Sequence, residues 1–281
     1  MRILLMTDLE GVAGIKNYED WCRPDSMFYE KACRLLTEEI NAAVDGFLSA
    51  GADYVEVADG HGPGAVDVEL LDPRAEYARG WPKAWPFGLD EGFEGVAWVG
   101  QHAKASSEFA HLCHTQSFGY IDLSVNGISI GEFGQLALCA SELGVPAFFA
   151  SGDRALTEEA QELVPGIVTC EVKRGVTAGT GEDCTREEYQ RRNAGAIHTP
   201  PVRARQVIRE AAEAALRKLE ATPPALIPLV PPFHRIAVFR PDEKQPRKTV
   251  SRESDPHSVI EVMRMPFDPQ PTDQAPLVKA D

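Results

Sequence analysis

Apolar positions fall in short blocks along the chain, and the spacing within each block predicts strands alternating with amphipathic helices. Residues 2–7 read as a strand carried by Ile3, Leu4, Leu5 and Met6. Leu36, Ile40, Val44, Phe47 and Leu48 recur on one helical face, so a helix is expected over about 28–49, closed by Gly51. Strands follow at 53–59 (DYVEVAD) and 95–100 (GVAWVG), with a short amphipathic segment near 65–71 between them. The stretch YIDLSVNGISIGE reads as a hairpin turning at Asn126-Gly127. A helix at 132–143, a strand at 146–151, a helix at 153–163, a strand at 166–175 and a long helix at 202–220 continue the alternation. This order predicts an α/β fold, with a mixed, largely parallel sheet and helices on both faces.

The pattern changes near residue 221. Twelve of the 21 prolines lie beyond that point. HRIAVFR (234–240) is a clear strand, 257–265 is a second candidate, and FDPQPTDQAPLVKAD reads as an extended or disordered tail. The expected organisation is an α/β core over 1–220 and a less regular, proline-rich C-terminal segment over 221–281.

Composition narrows the function classes. No apolar run approaches the ~18–20 residues of a membrane span. The apolar stretch before Asp8 is shorter than the roughly 7–15 residues of a signal peptide's apolar region. A cytoplasmic location, with no membrane partner, is therefore expected. A formal net charge of −15 disfavours nucleic acid, which needs a basic face, and suits a site that concentrates metal cations as well as simple solubility. The six cysteines show no C-x-x-C spacing and are expected to be reduced, mostly core residues.

The candidate chemistry sits where predicted strands end. In open α/β sheets, ligands bind outside the carboxyl ends of the strands. Asp8 and Glu10 follow the first strand, Asp59 and His61 the second, and Gln101 and His102 the third. Alternate residues of a strand point the same way, so each of the pairs Asp8/Glu10 and Asp59/His61 can aim both its groups at one point. Four of the seven histidines fall between 61 and 114. Imidazole with carboxylate suits Zn²⁺, with Mn²⁺ or Co²⁺ as alternatives. Each group alone also has an ordinary reading: a carboxylate after a strand caps a turn or a helix, and a lone histidine is hydrogen-bonded structure. The joint pattern of ligand-type groups at successive strand ends favours metal. GHGPG (60–64) lacks the Lys-Ser/Thr of a phosphate loop and reads as a flexible turn.

The segments MTDLEGVAG, VADGHG, VGQHAKA, HLCHTQSFG and NGISIGEFG occur in this order. Together they resemble the M55 family of D-aminopeptidases, zinc enzymes associated with bacterial dipeptide-transport operons. The resemblance covers about residues 1–220 and fades beyond. It implies two Zn²⁺ ions per subunit held by Asp8, Glu10, His61, His102 and Glu132, with Asp8 as the bridge, and a catalytic role for His114 in HTQS. It further implies hydrolysis of the N-terminal residue from short peptides with D-Ala-type N-termini, and a homo-oligomer, a decamer in the family, with active sites facing an internal chamber. Within this reading Asp59 is a candidate to orient a ligating imidazole, and Thr115 and Ser117 to line the pocket. Glu132 also opens a predicted helix, where a carboxylate is favoured by the helix dipole alone. The rival readings are another two-metal amide or phosphoester hydrolase and a non-catalytic peptide-binding homologue.

Overall fold

The computed structural model describes residues 1–80 and 82–272. Along these residues run β1 (Arg2–Thr7), α1 (Tyr18–Trp21), α2 (Tyr29–Ser49), β2 (Tyr54–Asp59), β3 (Glu76–Ala78), β4 (Gly95–Gln101), β5 (Tyr120–Val125), β6 (Ile128–Ser129), α3 (Glu132–Glu142) and β7 (Ala147–Asp153). They continue with α4 (Arg154–Leu163), β8 (Val168–Gly175), α5 (Arg186–Arg192), β9 (Ala196–His198), α6 (Pro201–Ala221), β10 (Phe233–Phe239), β11 (Thr249–Asp255), α7 (Val259–Arg264) and β12 (Gln270–Pro271).

Two sheets result. The larger has the order β3-β2-β1-β4-β7-β8-β9 and is parallel except at β8–β9. The mixed, largely parallel α/β architecture is thus as expected. Both faces of its central strands are buried, which is why they read as continuous apolar runs. Ile3, Leu5, Val57 and Val99 pack with α2 and α6 through Leu36, Ile40, Phe47, Ile208 and Leu216. Leu4, Met6, Val96 and Trp98 face the other way, toward Phe133 and Leu136 of α3, Leu156 of α4 and Leu123 of β5. The period-2 alternation of a strand makes this division.

The second sheet is antiparallel, in the order β12-β11-β10-β5-β6. The Asn126-Gly127 hairpin forms as read, joining β5 to β6, with both turn residues at positive φ. Beyond residue 221 the strand read at HRIAVFR forms as β10, but the rest of the segment differs from its reading. β11 (TVSRESD) carries no apolar run, yet it pairs with β10 from Phe233↔Asp255 to Phe239↔Thr249. Segment 257–265 is not a strand: Ser258 caps α7 by accepting from the Glu261 N–H at 3.1 Å. Val259, Val262 and Met263 then fall at helical spacing, a period that the dense apolar run disguises. The short amphipathic segment at 65–71 is irregular chain leading into a turn. Of the tail, residues 273–281 lie outside the described residues. All six cysteines are free. No helix among the described residues is long and apolar enough to cross a membrane.

The strand order reverses direction along the chain at β1, with β2 on one side and β4 on the other. A crevice opens outside the carboxyl ends at such a switch point. There the β1 and β4 ends press together. Gly11 donates to the Gly100 carbonyl at 2.8 Å, and a Cβ on Gly11 would lie 2.0 Å from the Gln101 oxygen. Gly100, at φ +74°, would place a Cβ 2.1 Å from the Asp8 oxygen. Only glycine lets the loops after β1 and β4 approach closely enough to share a site.

Candidate metal centre

The residues singled out for metal and catalysis arrive from five segments around the crevice. Asp8 and Glu10 leave β1, His61 leaves β2, His102 leaves β4, His114 stands on the loop before β5, and Glu132 opens α3. The structure gathers Asp8, Glu10 and His61 into one group, and His102, His114 and Glu132 into another; within each group the candidate ligand atoms lie within 4.8 Å of one another. Asp8 stands between the groups. Its Oδ1 is 3.4 Å from His61 Nδ1 and its Oδ2 is 3.1 Å from His102 Nε2. Glu10 Oε2 reaches His61 Nδ1 at 3.1 Å, and Glu132 Oε1 lies 3.6 Å from His102 Nε2 and 3.8 Å from His114 Nε2.

The backbone orients each imidazole. His61 Nε2 donates to the Cys22 carbonyl at 2.9 Å, His102 Nδ1 to that of Ala103 at 2.9 Å, and His114 Nδ1 to that of Leu112 at 2.8 Å. A carbonyl only accepts, so these nitrogens carry hydrogen, and the opposite nitrogen of each ring faces the crevice. His114 stacks on His102 at 3.9 Å between centroids. The carboxylates are held too. Asp8 accepts from the Leu9 N–H at 2.8 Å and from Gln101 Nε2 at 3.0 Å, and Glu132 from the Gln116 N–H at 2.7 Å. Two polar atoms at the centre, Glu10 Oε2 and His102 Nε2, are buried and make no well-aligned hydrogen bond, only the 3.1 Å approaches to His61 and Asp8. Such atoms are costly to bury unless something coordinates them, and borderline N and O donors fit Zn²⁺.

Charge shifts follow from this crowding. Burial pulls His61 down, but Glu10 and Asp8 overcome it and hold the ring well above the usual imidazole range. Burial likewise opposes the proton on His102, while Glu132 and Asp8 raise it to about 10. Burial alone would raise Asp8, yet His102 and His61 bring it well below the ordinary carboxylate value. Burial pushes Glu132 up to about 7 against the pull of His102. His114 goes the other way: burial, reinforced by His102, lowers it to about 4. Because a ring that ligates metal must be neutral there, the raised His61 and His102 would each shed a proton on binding it. Metal uptake is expected to release protons at pH 7, and affinity to rise with pH. Calorimetry in buffers of differing ionisation enthalpy reads this directly; uptake without proton release would contradict it.

Further polar residues brace the loops. Buried Lys173 of β8 donates to the carbonyls of Glu10 and Val12. Glu39 accepts from the Ala13 N–H at 3.0 Å, and Glu159 from the N–H groups of Lys104 and Gly131. Glu39 had a signal, a carboxylate on the apolar face beside Leu36 and Ile40; Lys173 had none. Asp59 does not touch the His61 ring. It accepts from the Ala65 and Val66 N–H groups and from the Tyr77 hydroxyl, and so fixes the loop after His61. Thr115 is buried and accepts from the Ala105 N–H, whereas Ser117 does line the crevice. His111 stands apart, donating its N–H to Asp153 and packing edge-on against His198.

Fold and site together define an α/β protein with a histidine–carboxylate cluster of metal-binding character at the switch point of its sheet. The chain belongs to the peptidase family M55, described as D-aminopeptidase, whose sequence profile matches residues 1–238. It is similar to a curated D-aminopeptidase of Bacillus subtilis (strain 168), with 30% identity over 187 residues, or 63% of this chain. That match spans 65% of the relative's own length. It also resembles a solved structure, the Zn-dependent D-aminopeptidase DppA from Bacillus subtilis, a self-compartmentalizing protease. The TM-score is 0.77 at 22% identity, covering 95% of this chain and 100% of that one, a likeness of fold.

Proposed function

We propose that the protein is a two-zinc aminopeptidase that removes the N-terminal residue of short peptides, with D-configured N-termini as its substrates. The observation that carries the reading is Asp8, whose two oxygens face histidines on opposite sides. One ion would be held by Asp8, Glu10 and His61, the other by Asp8, His102 and Glu132. The chemistry such a pair supplies is Lewis acidity, which polarises a carbonyl and brings the pKa of water toward ~7. Mn²⁺ or Co²⁺ would satisfy the same donors.

The chain's own groups supply positioning and proton transfer. His114, held neutral by its surroundings, keeps Nδ1–H on the Leu112 carbonyl and presents a free Nε2 to the crevice. It can take a proton from the attacking water and pass it to the leaving amine. Gln101 and the Gln116 N–H hold Asp8 and Glu132 in place, so neither carboxylate must reorganise as charge develops. Family membership and the relative's description support the peptide substrate and the D-configuration; the assembly, a decamer in the family, and the cytoplasmic location rest on the resemblance and composition.

The test is a turnover screen of matched D- and L-N-terminal dipeptides on metal-loaded protein, with metal analysis alongside. About two zinc equivalents per chain and hydrolysis abolished by chelation are expected. Failure to take up Zn²⁺, Mn²⁺ or Co²⁺, with no hydrolysis of either series, would reject the function.

A further inference from the structure

We infer that the peptide's N-terminal side chain seats in the larger of two compartments of the crevice, and that this compartment selects bulky apolar residues over alanine. The inference rests on the aminopeptidase reading above.

Asp8, Gly60, Gln116 and Glu132 form the boundary shared by two adjoining cavities, of about 390 and 200 Å³. His114 lines the smaller and not the larger. A leaving amine must be within reach of the group that protonates it. The peptide beyond the scissile bond therefore lies in the smaller compartment, whose wall carries Ser117, Arg186 and Gln190, suited to backbone and a free carboxylate. The residue being removed is left with the larger one.

The chemistry of the two walls agrees with that direction. The larger compartment is faced by Trp85, Phe87, Tyr120, Leu136, Met263 and Phe267. Trp85, Phe87, Met263 and Phe267 are only half-buried, although they pack on the apolar core. Large apolar side chains left part-exposed around a concavity mark a place that an apolar ligand completes. The cavity falls within the ~300–1,000 Å³ of small-molecule sites, and a methyl group would fill little of it.

The arginines at this wall are already engaged. Arg235 bonds Glu253 at 3.0 Å and the carbonyls of Met263 and Met265, and lies over the Phe267 ring at 3.9 Å. Arg264 bonds Glu261 and the Trp85 carbonyl. They serve to fix the apolar wall, so an acidic side chain gains no counter-ion there. Met263 and Phe267 also lie beyond residues 1–238, the extent of the family match, so this part of the wall belongs to the chain's own C-terminal segment.

The experiment uses full-length, metal-loaded protein and X-Gly dipeptides with X = Ala, Leu or Phe, in both D and L series. In whichever series is cleaved, kcat/KM for Phe or Leu is expected to exceed that for Ala by about 10-fold or more, the scale of methylene discrimination by an apolar pocket. Met263→Trp and Leu136→Phe, on α7 and α3, should each narrow the cavity and lower the Phe:Ala ratio by about 10-fold. A purely structural role would lower both rates and leave the ratio unchanged. Free phenylalanine should likewise inhibit at about 10-fold lower concentration than alanine, a readout that needs no variant. Alanine cleaved as well as or better than phenylalanine, or ratios unmoved in folded variants, would overturn this inference and leave the aminopeptidase reading intact. No hydrolysis in any series would overturn the aminopeptidase reading instead.

Discussion

Asp8→Ala is expected to strip both metal ions from the protein and to lower kcat/KM by on the order of 10³-fold or more. No other residue of the centre is asked to serve both groups. Its Oδ1 faces His61 and accepts from Leu9 N–H, while its Oδ2 faces His102 and accepts from Gln101. Without it, the first group keeps Glu10 and His61 and the second keeps His102 and Glu132, and neither retains three protein donors from the proposed set. His102→Ala removes one donor from the second group only, so it should leave one ion near Asp8, Glu10 and His61. Metal content after gel filtration separates the two variants. Asp8→Ala that still carries about two equivalents would end the bridging role. The lost carboxylate also leaves the buried Gln101 amide unpaired, at a cost of about 1–3 kcal/mol, so a thermal melt should accompany the metal analysis.

His114→Ala is expected to keep both ions and lose about 10²–10⁴-fold in kcat, the range for removing a positioned acid–base group. The geometry makes this a demanding test. His114 Nε2 stands 3.8 Å from Glu132 Oε1, and its ring is stacked on His102. A side chain so placed can ligate as readily as it can carry a proton. The variant that loses one metal equivalent would make His114 a ligand; the variant that keeps both while turnover collapses would make it the acid–base. The lowered pKa of about 4 keeps the ring neutral at neutral pH, which both roles require, so metal content and turnover together decide between them.

The crevice was legible because its parts are local. A strand that ends in D-x-E, or in D-x-H, places its carboxylate or imidazole at a carboxyl edge, and the β/α alternation says that such edges share one side of the sheet. The hairpin at Asn126-Gly127 and the helices at α2, α3, α4 and α6 follow from the same short-range periodicity. Asp59 shows the limit of that reasoning. It sits beside His61 in sequence, yet its oxygens turn to the Ala65 and Val66 N–H groups, and a carbonyl from Cys22 orients the ring instead. Which acceptor meets a given imidazole depends on a loop that sequence distance does not reveal. Lys173 is hidden for the same reason: a lysine in a strand reads as an exposed residue until the loop after β1 supplies carbonyls to its ammonium.

By itself, the sequence determined the α/β layout, the apolar faces of its strands and helices, and the residue types available at the strand ends, since each depends on neighbours a few positions apart. Tertiary structure alone decided the rest. β11 is a strand because β10 offers it a register, and β10 is in place because β5 does. Arg235 of β10 holds the chain near Met263–Met265, and Phe267 closes the wall beside Trp85. The β10–β5 register and the Trp85–Phe267 wall join segments more than a hundred residues apart, and no local period encodes which of them will meet.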